Sequence, residues 1–188
     1  NNSVKTFEIT FETLKSASDM IIMLMTQPIT PYKLEFVDEQ SVKLINSIKK
    51  NHFEINTKSA VLLEIDGDVD FIDIQSKKLL KLMQNKEHKK ITIAENKTEI
   101  AELWKARKSL SPALKEIGGY KINEDIAVPI SNLTRLLNNL SAISKKYGVQ
   151  IVNFGHAGNG NIHVNLIFDT IKEKNSENSK NCLEEIFD

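Results

Sequence analysis

Residues 154–165 read FGHAGNGNIHVN, and they gather the groups in this chain best suited to chemistry. The segment holds three of the seven glycines and two of the four histidines. Closely spaced glycines let a backbone turn where a side chain would clash. His156 and His163 flank that turn, and a neutral imidazole is the commonest protein ligand for a transition metal. Two imidazoles are too few to hold an ion tightly. A third ligand must come from elsewhere, with an open position left for substrate. The alternative is a surface hairpin carrying two solvated histidines.

Three stretches carry polar groups at telling positions. In 162–168, Ile162, Val164, Leu166 and Phe168 form a core face by alternation, which places His163 and Asn165 together on the other face. The strand expected at 120–128 has Tyr120, Ile122, Ile126 and Val128 on one side, interrupted by Glu124, and Lys121, Asn123 and Asp125 on the other. In the helix expected at 97–110, the apolar stripe Ile100, Leu103, Trp104 continues into Arg107. A guanidinium on a core-facing stripe is costly unless paired. It either meets a structural carboxylate or clamps a ligand carboxylate in bidentate fashion. Ser111 lies four residues on and shares that face if the helix persists.

The elements that must position these groups follow from periodicity and punctuation. Strands are expected at 5–11, 30–37, 60–65, 89–94, 120–128, 149–154 and 162–168. Helices are expected at 14–25, 41–48, 71–83, 97–110 and 131–147. Asp66-Gly67-Asp68 reads as a turn, and Asn96 with Glu99 as a capped helix start. Ser111-Pro112 reads as a helix restart, with Gly118-Gly119 as its stop. Residues 171–181 (IKEKNSENSKN) are polar and structureless in composition, followed by a helical stub at 181–187. Many of the strands are half polar, which favours an antiparallel sheet over a buried parallel one. The expected fold is α+β: duplicated ferredoxin-like lobes, a largely antiparallel sheet and helices packed on one face. The expected organisation is one domain over 1–169, then a polar segment and partial helix over 170–188.

Composition narrows the function. The 188 residues carry 25 basic and 25 acidic side chains, so no net charge favours nucleic acid or an anionic membrane. The longest apolar run, Met20–Met25, is far too short to span a bilayer, and no signal peptide is visible. Cys182, the single cysteine, excludes an internal disulfide, fits a reducing compartment and reads as an incidental thiol in a polar tail. There is no GxGxxG dinucleotide turn, no GxxxxGK[ST] phosphate loop and no GxSxG elbow. The start at Asn1 and the half-written final helix suggest a piece of a longer polypeptide.

LWKARKSLSPAL at 103–114, YKINEDIAVP at 120–129 and FGHAGNGNIHVN at 154–165 occur in an order and at separations that resemble the C-terminal substrate domain of FAD-linked oxidases. The glycolate oxidase and D-lactate dehydrogenase branch is the nearest likeness. The resemblance is strong over 100–168 and weaker over 5–95. It implies oxidation of a D-2-hydroxy acid, glycolate or D-lactate, with hydride transfer to FAD held by an N-terminal domain that this chain lacks. It implies that Arg107 and Lys121 bind the substrate carboxylate, and that Ser111 and Asn165 help to position substrate. His156 and His163 would bind a divalent metal such as zinc. The implied partners are the flavin domain and an electron-transfer subunit. The implied location is the cytoplasm, peripheral to a bacterial inner membrane. Two departures stand out. Asn159 replaces the family's Asp, and the family's later Ser-Gly-Glu-His-Gly segment, with its third ligand and catalytic base, is absent. The chain alone is therefore expected to be inactive. A non-catalytic ferredoxin-like binding or metal-binding module is the competing reading.

Overall fold

The computed structural model describes residues 2–117 and 119–188. Gly118, half of the expected helix stop, lies outside the described residues. The elements run β1 (Asn2–Phe11), α1 (Leu14–Thr26), β2 (Lys33–Val37), α2 (Glu39–Ile48), β3 (Ser59–Asp68), α3 (Val69–Gln84), β4 (Lys90–Ala94), α4 (Lys97–Lys108) and α5 (Leu110–Ile117). Then follow β5 (Tyr120–Ala127), α6 (Leu133–Tyr147), β6 (Gln150–His156), β7 (Asn161–Phe168), α7 (Ile171–Lys174) and α8 (Glu177–Phe187).

The strands form one seven-stranded sheet in the order β4-β1-β3-β2-β6-β7-β5, and every pairing is antiparallel. The β4-β1-β3-β2 half is the ferredoxin-like order, with α2 inserted between its second and third strands. The β6-β7-β5 half repeats three of those four positions. The lobes join where β2 meets β6, with Glu35 opposite His156, Phe36 opposite Gly155 and Val37 opposite Phe154. The α+β, antiparallel expectation therefore holds, and the order of pairing supplies the duplication that no sequence repeat displays.

Helices cover both faces, which corrects the one-face expectation. Phe7, Ile9, Phe36, Val61 and Leu63 meet Met20 and Leu24 of α1, Leu79 and Met83 of α3, and Leu137 and Leu140 of α6. On the opposite face, Val37, Val152, Phe154 and Ile167 lie under Val42 and Ile45 of α2 and under Ala106, Leu110 and Leu114 of α4 and α5. Burying an aliphatic or aromatic side chain contributes about 1.5–3 kcal/mol, so a face bearing this set gains from cover. Past Phe154 the second face turns polar, and there the cover gives way to the site described below.

Three local readings are corrected. Asp66-Gly67-Asp68 is no turn: β3 continues through it, pairing Gly67 with Ser3, and Asp68 Oδ1 caps α3 by accepting from Asp70 N at 3.1 Å. The α4–α5 break falls at Ser109, so Ser111 and Pro112 sit inside the first turn of α5. Proline is tolerated there because first-turn N–H groups have no intrahelical acceptor. The stretch 171–181 holds α7 and the start of α8, opened by Thr170 and Ser176, whose hydroxyls accept from Glu173 N and Ser179 N at 3.1 and 3.2 Å. Ser179, Cys182 and Ile186 are buried. Average polarity hid this helical spacing. Cys182 belongs to the main core, and burial pushes its thiol pKa up.

The seam is clamped by a half-buried carboxylate. Asp38 Oδ1 accepts from Ser41 N at 2.8 Å, capping α2, while Oδ2 accepts from Asn153 N and Nδ2 at 2.8 and 2.9 Å. Burial outweighs these hydrogen bonds and raises its pKa from 3.8 to about 6. Its carboxyl carbon should titrate near that value in NMR spectra. With the folded pKa raised, the unfolded chain ionises first as pH rises. Stability from this group is thus full below about pH 4 and falls up to about pH 6. The stability of wild type relative to Asp38→Asn should drop across that window by about 3 kcal/mol at most, measured by urea denaturation.

Candidate functional site

The sheet register assembles the polar groups. On β5 and β7, Asp125 faces His163 and Asn123 faces Asn165, with Lys121 one step further on the same side. On β6, Phe154 lies opposite His163. Helices α4 and α5 cross above this patch and add Arg107, Ser111 and Leu114. Together these nine residues line one cavity of about 310 Å³. Four of the expected substrate-binding residues, Arg107, Ser111, Lys121 and Asn165, therefore share a wall with His163. His156 lies at the margin, its ring centre 5.3 Å from that of His163.

Arg107 is buried and paired. Its Nε and Nη2 donate to Glu35 Oε2 at 3.0 and 2.8 Å, and its guanidinium lies over the Phe154 ring, 4.4 Å from the centroid. Of its five donors, these two bonds occupy two and leave three. The structure thus answers the sequence alternative with both halves: Arg107 has a structural carboxylate and still borders the cavity. No carboxylate pairs with Lys121 among the described residues.

Glu35 also binds His156 through Oε1, and Asp125 binds His163 in the same way, each at the imidazole Nδ1. An ionised carboxylate only accepts, so Nδ1 donates in both rings, and in a neutral imidazole so held Nε2 carries the lone pair. Asn165 is almost wholly buried. Its Nδ2 donates to Val152 O at 3.1 Å, while its Oδ1 has no hydrogen-bond partner. Asn165 lines the cavity, and its Oδ1 is a buried acceptor without a donor.

Among the described residues, no three His, Cys, Asp or Glu side chains are placed to hold a metal ion. The paired imidazoles have the carboxylate support typical of metal-bound histidines, but Glu35 and Asp125 are engaged with Nδ1 atoms. Two nitrogens do not complete a shell, and the residues present do not fit a metal by themselves. Asn159 has a local role: its Oδ1 accepts from Asn161 N at 3.2 Å within the turn.

Sequence reasoning missed Glu35. Its signal was a lone carboxylate inside KLEFV, flanked by Leu34 and Phe36, but its partners lie 72 and 121 residues away. Phe154 was read as a strand residue, and its place beneath Arg107 depended on how α4 crosses the sheet.

The molecule is thus an α+β domain whose single antiparallel sheet carries, on one face, a cavity lined by cationic, hydroxyl and amide side chains. The family model for FAD linked oxidases, C-terminal domain, matches residues 1–188, and the chain belongs to that family. It is 27% identical over 184 residues to the glycolate oxidase protein GlcD of Bacillus subtilis, covering 98% of this chain and 39% of that protein. It is 27% identical over 167 residues to the mitochondrial D-lactate dehydrogenase [cytochrome] of Arabidopsis thaliana, covering 87% and 29%. The chain thus spans well under half the length of these relatives. The fold is shared with p-cresol methylhydroxylase (TM-score 0.70, 12% identity, 97% of this chain and 42% of that one). It is shared too with alkyldihydroxyacetonephosphate synthase (TM-score 0.68, 13% identity, 100% and 39%). No helix among the described residues is long and apolar enough to cross a membrane.

Proposed function

We propose that this chain is the substrate-binding part of an FAD-dependent enzyme that oxidises a D-2-hydroxy acid, glycolate or D-lactate, to the 2-oxo acid. The observation that carries the reading is the convergence of Arg107, Ser111, Lys121 and Asn165 on one cavity. A 2-hydroxy carboxylate offers the complement: an anion for the two cations and a neighbouring hydroxyl for the polar side chains of Ser111 and Asn165. Arg107 has a rigid, planar set of donors, which orients a carboxylate better than an ammonium does. Lys121 adds a flexible point charge, and Ser111 a further hydrogen-bonding group. Fixing both functional groups of the acid leaves its Cα–H pointing in one direction, the prerequisite for hydride transfer. A flavin held by the companion domain supplies the hydride acceptor. The roles of His156 and His163 rest on the family resemblance, and no step is assigned through a metal.

The test is direct. The full-length polypeptide, purified, should carry flavin absorbance and reduce an artificial electron acceptor with glycolate or D-lactate. A flavin-free protein inert toward a panel of 2-hydroxy acids overturns the reading. In the active enzyme, Lys121→Ala should raise KM at least about tenfold, the loss of one charge-assisted contact.

A further inference from the structure

One group in this molecule touches both the guanidinium and an imidazole of the site while standing outside the cavity. Glu35 lies on β2, in the first lobe, and is 7% exposed. It faces His156 across the seam between the lobes. Its Oε2 takes Arg107 Nε and Nη2, and its Oε1 takes His156 Nδ1. With both oxygens occupied, a single carboxylate holds the guanidinium at one end and the His156 ring at the other. Phe154 closes the remaining side of Arg107. The cavity itself is built by α4, α5 and the second lobe. Its cation is therefore aimed by a residue of the other half of the molecule.

We propose that Glu35 is the positioning residue of this site: it presents the free donors of Arg107 to the ligand carboxylate and holds His156 with Nε2 unprotonated. This rests on the reading of the cavity as a carboxylate site, and it makes a prediction whose sign separates it from simple electrostatics. Removing a negative charge beside an anion site should tighten anion binding if charge alone mattered. If orientation matters more, binding should weaken, because misplaced donors lose their aligned geometry.

The experiment uses the full-length polypeptide with its flavin domain, wild type and Glu35→Gln, with two NMR readouts. The first is the histidine tautomer, from long-range proton–nitrogen spectra at a pH where the rings are neutral. His156 should be in the Nδ1–H form in wild type and a mixture of tautomers in Glu35→Gln, with His163, held by Asp125, unchanged. The second is titration with D-lactate, which should bind at least about tenfold more weakly to Glu35→Gln, within the range typical of lost supporting contacts. An unchanged His156 tautomer, or D-lactate binding that is equal or tighter in Glu35→Gln, overturns the proposal. Should wild type fail to bind D-lactate, the carboxylate reading of the cavity fails and takes the guanidinium role with it, while the tautomer still decides whether Glu35 sets His156. Should Glu35→Gln not fold, Glu35→Asp keeps the charge but shortens the reach, and the same loss of the His156 tautomer is expected.

Discussion

Replacing Arg107 with alanine is expected to destabilise the chain by about 3–5 kcal/mol and to remove carboxylate binding at the cavity. The stability loss comes from Glu35. With its guanidinium partner gone, a carboxylate that is 7% exposed keeps only His156 as a donor. Removing one member of a buried ion pair costs far more than the pair contributes, because the survivor is still desolvated. The same physics gives a discriminating control. The double variant Glu35→Gln, Arg107→Met removes both charges and roughly preserves volume, so it should recover much of the lost stability. It should not recover D-lactate binding. Urea denaturation gives the first quantity and ligand titration the second. Equal destabilisation in the single and double variants would contradict this account of the pair.

The second large effect concerns the glycine turn. Gly160→Ala should cost about 2–5 kcal/mol, combining left-handed backbone strain with forced displacement of a neighbour. Gly160 has φ +73°, and a Cβ there would stand 1.9 Å from the carbonyl oxygen of Val128. Val128 in turn donates its N–H to Gly160 O at 3.1 Å, the bond that ties the end of β5 to the start of β7. Relief of the clash pulls β5 away from β7, and with it Asp125 from His163. Gly158→Ala is the control. Its Cβ would meet nothing nearer than Leu34 Cβ at 3.4 Å, and its backbone is not left-handed, so a change below about 1 kcal/mol is expected. Thermal or chemical unfolding of the two variants side by side measures the contrast.

The three glycines of FGHAGNGNIHVN looked alike in the sequence, and the structure separates them. Gly160 is required by its φ and by Val128. Gly155 is required by close approach, since a Cβ would lie 2.4 Å from Asn161 O, whereas Gly158 has room for one. A turn shows in a sequence as a composition, but the need for glycine at each position depends on which strand passes beside it.

Much of the sheet was legible because strand alternation is a local property. The placement of His163 and Asn165 opposite the Ile162–Phe168 core set required only the pleat, and β7 carries them as expected. Arg107 was conspicuous for the same kind of reason, a charge where a helix repeats apolar residues. The start of α8, before Asn181, was missed because its buried position there is Ser179, a polar residue whose inward place follows only from the packing of α8 on α6. Helix cover on the second face was missed because an amphipathic helix has one apolar side but no mark saying which sheet face it meets.

By itself the sequence determined the order of the seven strands, the antiparallel character and the family. These depend on periodicity, on residue chemistry and on motif spacing, all of which are written along the chain. Only the tertiary structure decided that Glu35 and Arg107, 72 residues apart, form one buried pair, and that the same carboxylate reaches His156 across the seam. Side-chain partners of that kind are set by strand order and helix crossing, and a carboxylate in KLEFV has no local feature that names its partner.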